Sequence, residues 1–156
     1  MLTRLDVGER WAAALRAADF AGLGRCLAPD VRIRAVLPSR FADASGREEA
    51  VALLRQWLGG ERGFAVLAAS SGTVGHVLRL DYRVRISGPE PCLMEQHGYC
   101  RVGADGVTDL RLVCSGWMPV PPAALPGAPP GAGDGTGTQP EQTSRRSATP
   151  SAPTRQ

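Results

Sequence analysis

The segment EQHGYCRVGADGVTDLRLVCSGW, residues 95–117, gathers one of the chain's two histidines and two of its four cysteines. On a strand over 93–102, alternation puts Glu95, His97, Tyr99 and Arg101 on one face and Met94, Gln96, Gly98 and Cys100 on the other. On the next strand Leu110, Leu112 and Cys114 share a face. If Asp105-Gly106 is a two-residue turn, His97 stands across from Cys114 and Tyr99 across from Leu112. A loop two residues longer keeps the same faces and moves the partner of Cys114 to Glu95. The apolar row then turns this face inward. A histidine that titrates near neutrality would sit in a mostly apolar cavity, with Glu95 to orient it and Tyr99 or Tyr82 to donate to a substrate oxygen. Positioned acid–base groups of this kind each give about 10²- to 10⁴-fold in rate. A Cys114 thiolate beside the imidazole would be an activated nucleophile. The plainer reading of the same residues is the wall of a core, in which Cys114 is a small hydrophobe and the tyrosines are tethered aromatics.

Metal chemistry finds little support. His97 and Cys100 lie three apart on a strand and point oppositely, and no C-x-x-C pair exists. Neither a metal nor a cofactor is expected.

The elements that position this hairpin follow from periodicity. An apolar stripe of Trp11, Leu15 and Ala14 or Ala18 predicts a helix over 7–18. Asp19 caps a short second helix carrying Phe20, Leu23 and Leu27 and ended by Pro29. Val31, Ile33 and Ala35 alternate with Arg32 and Arg34, a strand with one buried face. The loop LPSRFADAS then leads to a third helix, whose start reads as a capping box of Ser45 and Glu48. Its inward stripe is Ala50, Val51, Leu54, Trp57 and Leu58, and Gly59-Gly60 stops it. Residues 64–69 and 77–86 are strands, the second with Leu78, Leu80, Tyr82, Val84 and Ile86 inward. Strands 93–102 and 107–116 complete the run. Helices first and antiparallel strands after imply an α+β fold in which a curved antiparallel sheet wraps around three N-terminal helices.

Composition bounds the rest. The 156 residues suit one domain over 1–117. From 118 to 156 Pro, Gly, Ser, Thr and Ala dominate without an aromatic residue, which predicts a disordered tail. All 18 basic residues are arginines, interleaved with 15 acidic ones for a net charge of +3. No continuous basic footprint for nucleic acid results. No run approaches the ~18 apolar residues of a membrane span, and MLTRLDVGERW carries charges where a signal peptide has its apolar core. A cytoplasmic protein with reduced thiols is expected.

The runs ERWAAALRAADFAGLGRCLAPDVRIRAV and SGREEAVALLRQWLGG, with the closing hairpin, resemble nuclear transport factor 2-like domains. That superfamily includes ketosteroid isomerases and SnoaL-like polyketide cyclases, and the likeness spans about residues 5–117. It implies a cone whose sheet leaves an apolar pocket open at one end and whose outer face often pairs two subunits into a homodimer. It also implies a small apolar or polyketide-like substrate. In a ketosteroid isomerase the pocket holds a carboxylate base, a helix tyrosine and a protonated aspartate. The matching positions here are Ala35, Trp11 and His97. An alanine takes no proton, so the resemblance implies a rebuilt site: His97, Glu95 and Tyr99 as acid–base groups for a cyclisation, isomerisation or dehydration. Trp11, Ala35, Trp57, Tyr82, Leu110, Leu112 and Cys114 would line the pocket. The alternative is a non-catalytic small-molecule-binding or dimerisation module.

Overall fold

The computed structural model describes residues 3–120. Helix α1 (Arg4–Arg16) starts where Thr3 can cap it. The Asp6 N–H donates to the Thr3 hydroxyl at 3.1 Å, and the Thr3 N–H donates to the Asp6 carboxylate at 2.8 Å. Two amides with no partner inside the helix are thereby satisfied, and these bonds hold the Asp6 carboxyl below its ordinary value. Capping chemistry therefore starts the helix three residues ahead of position 7. Val7, Trp11, Ala14 and Leu15 face the core.

Asp19 caps helix α2 (Phe20–Arg25) by accepting from the Gly22 N–H at 2.8 Å, as its sequence predicts. The helix ends before Pro29, because strand β1 (Leu27–Leu37) already begins at Leu27. Pro29 sits where the β1 register is irregular, so its missing N–H costs no regular ladder bond. Strand β2 (Arg40–Ser45) occupies what reads as a loop. Helix α3 (Arg47–Trp57) follows with Gly46 at its N-cap, at φ 87° and with no side-chain cap. The capping box on Ser45 and Glu48 is not formed. Glu49 instead accepts from the Ser45 N–H at 3.0 Å.

Strands β3 (Ala65–Val74), β4 (Val77–Ile86), β5 (Cys92–Gly103) and β6 (Gly106–Cys114) form the long walls. A two-residue strand β7 (Met118–Pro119) pairs with Leu93 and Cys92. Sheet order is β2-β1-β6-β5-β4-β3, with β7 on β5. The sheet is mixed rather than wholly antiparallel, since β1 runs parallel to β6. Order extends past residue 117 into β7, and the tail expectation for 121–156 lies outside the described residues.

Between sheet and helices lies one closed core. Leu78, Leu80, Tyr82, Val84 and Ile86 face inward from β4, as alternation predicts, and the first four join Trp11, Leu15, Leu54 and Trp57 in the core cluster. Each such side chain contributes about 1.5–3 kcal/mol relative to exposure.

Candidate functional site: a closed interior and an open outer face

The β5–β6 hairpin decides what chemistry faces where. Its turn is Ala104-Asp105, with Gly103 opposite Gly106 and Val102 opposite Val107. Between Arg101 and Val102 the register shifts, and beyond that point Arg101 opposes Asp109 and Gln96 opposes Cys114. The extra residue, Thr108, changes the pairing by one and so exchanges the faces of β5 relative to β6. Gln96, not His97, therefore shares the inner face with Leu110, Leu112 and Cys114.

His97, Glu95 and Tyr99 lie on the outer face, which corrects the expectation that they look into a hollow. His97 is 48% exposed and sits between two carboxylates. Its Nδ1 is 2.8 Å from Asp81 of β4 and its Nε2 3.4 Å from Glu95. Arg79 holds Asp81 at 2.7 Å and Arg83 holds Glu95 at 3.0 Å. The result is an alternating chain of charges across β4 and β5, Arg79–Asp81–His97–Glu95–Arg83, in contact with solvent. No apolar cavity surrounds this imidazole, and the Cys114–His97 nucleophile pair does not form. Asp81, opposite His97 in the register, is the partner that the sequence reading missed.

The positions expected to line a pocket are buried on the inner side: Trp11, Ala35, Trp57, Tyr82, Leu110, Leu112 and Cys114. The polar centre there is Gln96, 0% exposed. Its Oε1 accepts a short hydrogen bond from the Tyr82 hydroxyl, while its Nε2 faces Cys114 Sγ at 3.3 Å and Met94 Sδ at 3.8 Å. Burial pushes the Tyr82 hydroxyl well above its ordinary value. Burial first and Asp109 second push the Cys100 thiol up to about 12. Both groups stay protonated at neutral pH. The Tyr82–Gln96 pair carries no proton from one place to another, because an amide does not titrate and the phenol holds its hydrogen. The Trp11 and Trp57 indole N–H groups are buried without a partner among the described residues. Trp117 closes over α3 by donating to the Trp57 carbonyl at 3.1 Å.

A groove of about 670 Å³ lies on the outer sheet face across β2, β1 and β6. Val36, Phe41, Tyr99 and Val113 give it apolar walls, and Arg32, Arg34, Arg111 and Asp43 line it with charge. Phe41 is 79% exposed, Val113 55% and Tyr99 47%. A smaller cavity of about 210 Å³ lies beside Asp81, Arg83 and Glu95. Among the described residues no group of three His, Cys, Asp or Glu side chains is placed to hold a metal ion, and no helix is long and apolar enough to cross a membrane.

Many solved structures share this arrangement of a curved mixed sheet around three helices. The fold is the nuclear transport factor 2-like fold. An LEH-like epoxide hydrolase of M. tuberculosis superposes with a TM-score of 0.54 at 23% identity, over 72% of this chain and 82% of that one. A Mesorhizobium loti protein named as a SnoaL-like polyketide cyclase gives 0.54 at 19% identity, over 71% and 98%. A nuclear transport factor 2-like protein of unknown function from Burkholderia pseudomallei gives 0.56 at 15%, over 72% and 90%. No protein-family model matches the sequence. No curated protein matches it either. At these identities the likeness is one of backbone, and a backbone of this kind hosts unrelated chemistries.

Proposed function

We propose that this chain is a binding module without chemistry of its own, and that its working surface is the groove on the outer face of the sheet. The observation that carries this reading is the contiguous apolar and aromatic patch of Val36, Phe41, Tyr99 and Val113 around that groove. Soluble proteins rarely leave such patches open without a use for them. The interior supports the same reading, since its buried polar residue among the described ones is the amide Gln96 rather than a carboxylate or imidazole, and acid–base turnover is best served by such a titrating group. Pairing of two copies, as the resemblance implies, would use this face, but it would bring the arginines of both copies together. Native mass spectrometry of the chain purified from its own host, beside a Phe41→Glu variant, tests the proposal. A retained adduct in the wild type that the variant lacks is expected. Bare chain in both, or the same adduct in both, overturns it.

A second reading, favoured by the Tyr82–Gln96 pair and the partnerless Trp11 and Trp57 indoles, seats a small neutral apolar molecule in the interior. The structural neighbours named as a cyclase and an epoxide hydrolase lend it context. Such a ligand would be held by hydrogen bonds from uncharged donors. Titration with anthrone, a neutral tricyclic ketone, would then quench tryptophan fluorescence saturably in the wild type and not in Gln96→Leu. Equal quenching in both removes this reading.

A further inference from the structure

The outer groove carries more positive charge than its own carboxylates absorb. Arg111 spends its Nε on Asp109 at 3.1 Å, leaving the rest of its guanidinium toward the groove. Arg34 approaches Asp43 only at 3.8 Å. Arg32 meets no carboxylate within 4.0 Å among the described residues. Elsewhere on the same face the register pairs unlike groups: Arg83 stands opposite Glu95, and His97 opposite Asp81. At the groove it sets Arg32 opposite Asp109, and Arg34 opposite Asp43 on one side but directly opposite Arg111 on the other. Like charges opposed across a ladder destabilise a sheet, so this pair costs the fold something that an anion between the two guanidiniums would relieve.

The walls state what else the occupant carries. Tyr99 neighbours Arg111 across the β5–β6 ladder, and Phe41 neighbours Val36 across β1–β2. A half-exposed phenol and a nearly bare phenyl ring flank the cationic floor. Flat apolar surface beside planar guanidinium groups suits a flat ligand with an anionic end, because guanidinium binds carboxylate, sulfonate or phosphate oxygens in two-pronged fashion and rings pack on rings. The groove's size, about 670 Å³, falls among sites for single small molecules, which span about 300–1,000 Å³.

We infer that the groove binds a small organic anion, its acidic group held by Arg32, Arg34 and Arg111 and its planar apolar body against Tyr99 and Phe41. This rests on the outer groove being the working surface. The full chain is titrated with 8-anilinonaphthalene-1-sulfonate and with N-phenyl-1-naphthylamine, the same rings without the sulfonate, and fluorescence is followed. The sulfonate binds once per chain and at least about tenfold more tightly than the neutral amine, the size of effect that hydrogen bonds to charged groups give. The double variant Arg34→Gln/Arg111→Gln loses that advantage while keeping its affinity for the neutral amine. Its urea midpoint stays level or rises, because a like-charged pair has gone.

Equal affinity for the two dyes, or sulfonate binding indifferent to the arginine pair, overturns the inference. So does one dye per two chains, which gives the groove to a second copy, or tighter binding of a single-stranded oligonucleotide than of either dye. If Phe41→Glu abolishes both dyes while the arginine variant changes neither, the groove stands as the working surface and only the anion falls.

Discussion

Gln96 is a buried amide used at both ends, its oxygen by the Tyr82 hydroxyl and its nitrogen by two sulfurs. A buried polar group left without its partner costs about 1–3 kcal/mol, whereas removing both partners together costs less. Tyr82→Phe should therefore lower unfolding free energy by about 1–2 kcal/mol, since the buried Gln96 Oε1 loses its donor. Gln96→Leu should cost a similar amount by stranding the phenol. The double variant should fall short of the sum by about 0.5–2 kcal/mol, read from urea unfolding of all four proteins. Additive losses would mean that the two groups do not share a hydrogen bond. The strand's own pattern points to Gln96: one face of β5 offers Met94, Gln96, Gly98 and Cys100, the other Glu95, His97 and Arg101. The charged face is the one that belongs in water.

A two-residue Asp105-Gly106 turn predicts the opposite face, and the hairpin is where an element defeats a sequence. Turn residues locate a β-turn to within a residue, but one bulge residue inverts every face beyond it, and nothing in G-V-T-D announces Thr108 as unpaired. Where no bulge intervenes, alternation was enough: β4 spans the expected residues because Leu78, Leu80, Tyr82, Val84 and Ile86 are large. β2 escaped notice because its inward residues are Ala42 and Ala44, too small to give an apolar signal. Phe41, which carries the proposed function, was hidden with it. Gly106 fixes the turn that remains. It holds φ 117°, and a Cβ there would stand 2.5 Å from the Cys26 carbonyl oxygen. That backbone cannot retreat freely, because the Val107 N–H donates to the same oxygen at 2.9 Å. Gly106→Ala should destabilise by about 2 kcal/mol or more, combining a left-handed strain of about 1–3 kcal/mol with a backbone clash. Gly75→Ala, at φ 59° with open space around it, isolates the strain alone. Thermal unfolding in which the two variants match would remove the clash from the account.

Across the described molecule, three titrating groups that the core encloses are raised by burial and so hold their protons: Cys26, Tyr82 and Cys100. The consequence is a stability that fails from the alkaline side. Cys100 keeps its proton to about 12 in the folded chain, against an ordinary value of 9.0 once unfolded. Between those limits the unfolded chain binds fewer protons than the folded one, so stability is full below pH 9 and declines as pH rises. One group in that window costs about 1.4 kcal/mol for each pH unit. Tyr82 adds to the slope above its ordinary 10.0 in the same direction. Urea unfolding should accordingly show a constant contribution from these groups up to about pH 9 and a falling one beyond it. Cys100→Ala should be less stable at pH 7, where it only leaves a cavity, yet lose less between pH 9 and pH 11 than the wild type does. A variant whose alkaline slope equals the wild type's would mean that the Cys100 thiol ionises inside the folded sheet, and that the interior is open enough to admit the water a thiolate needs.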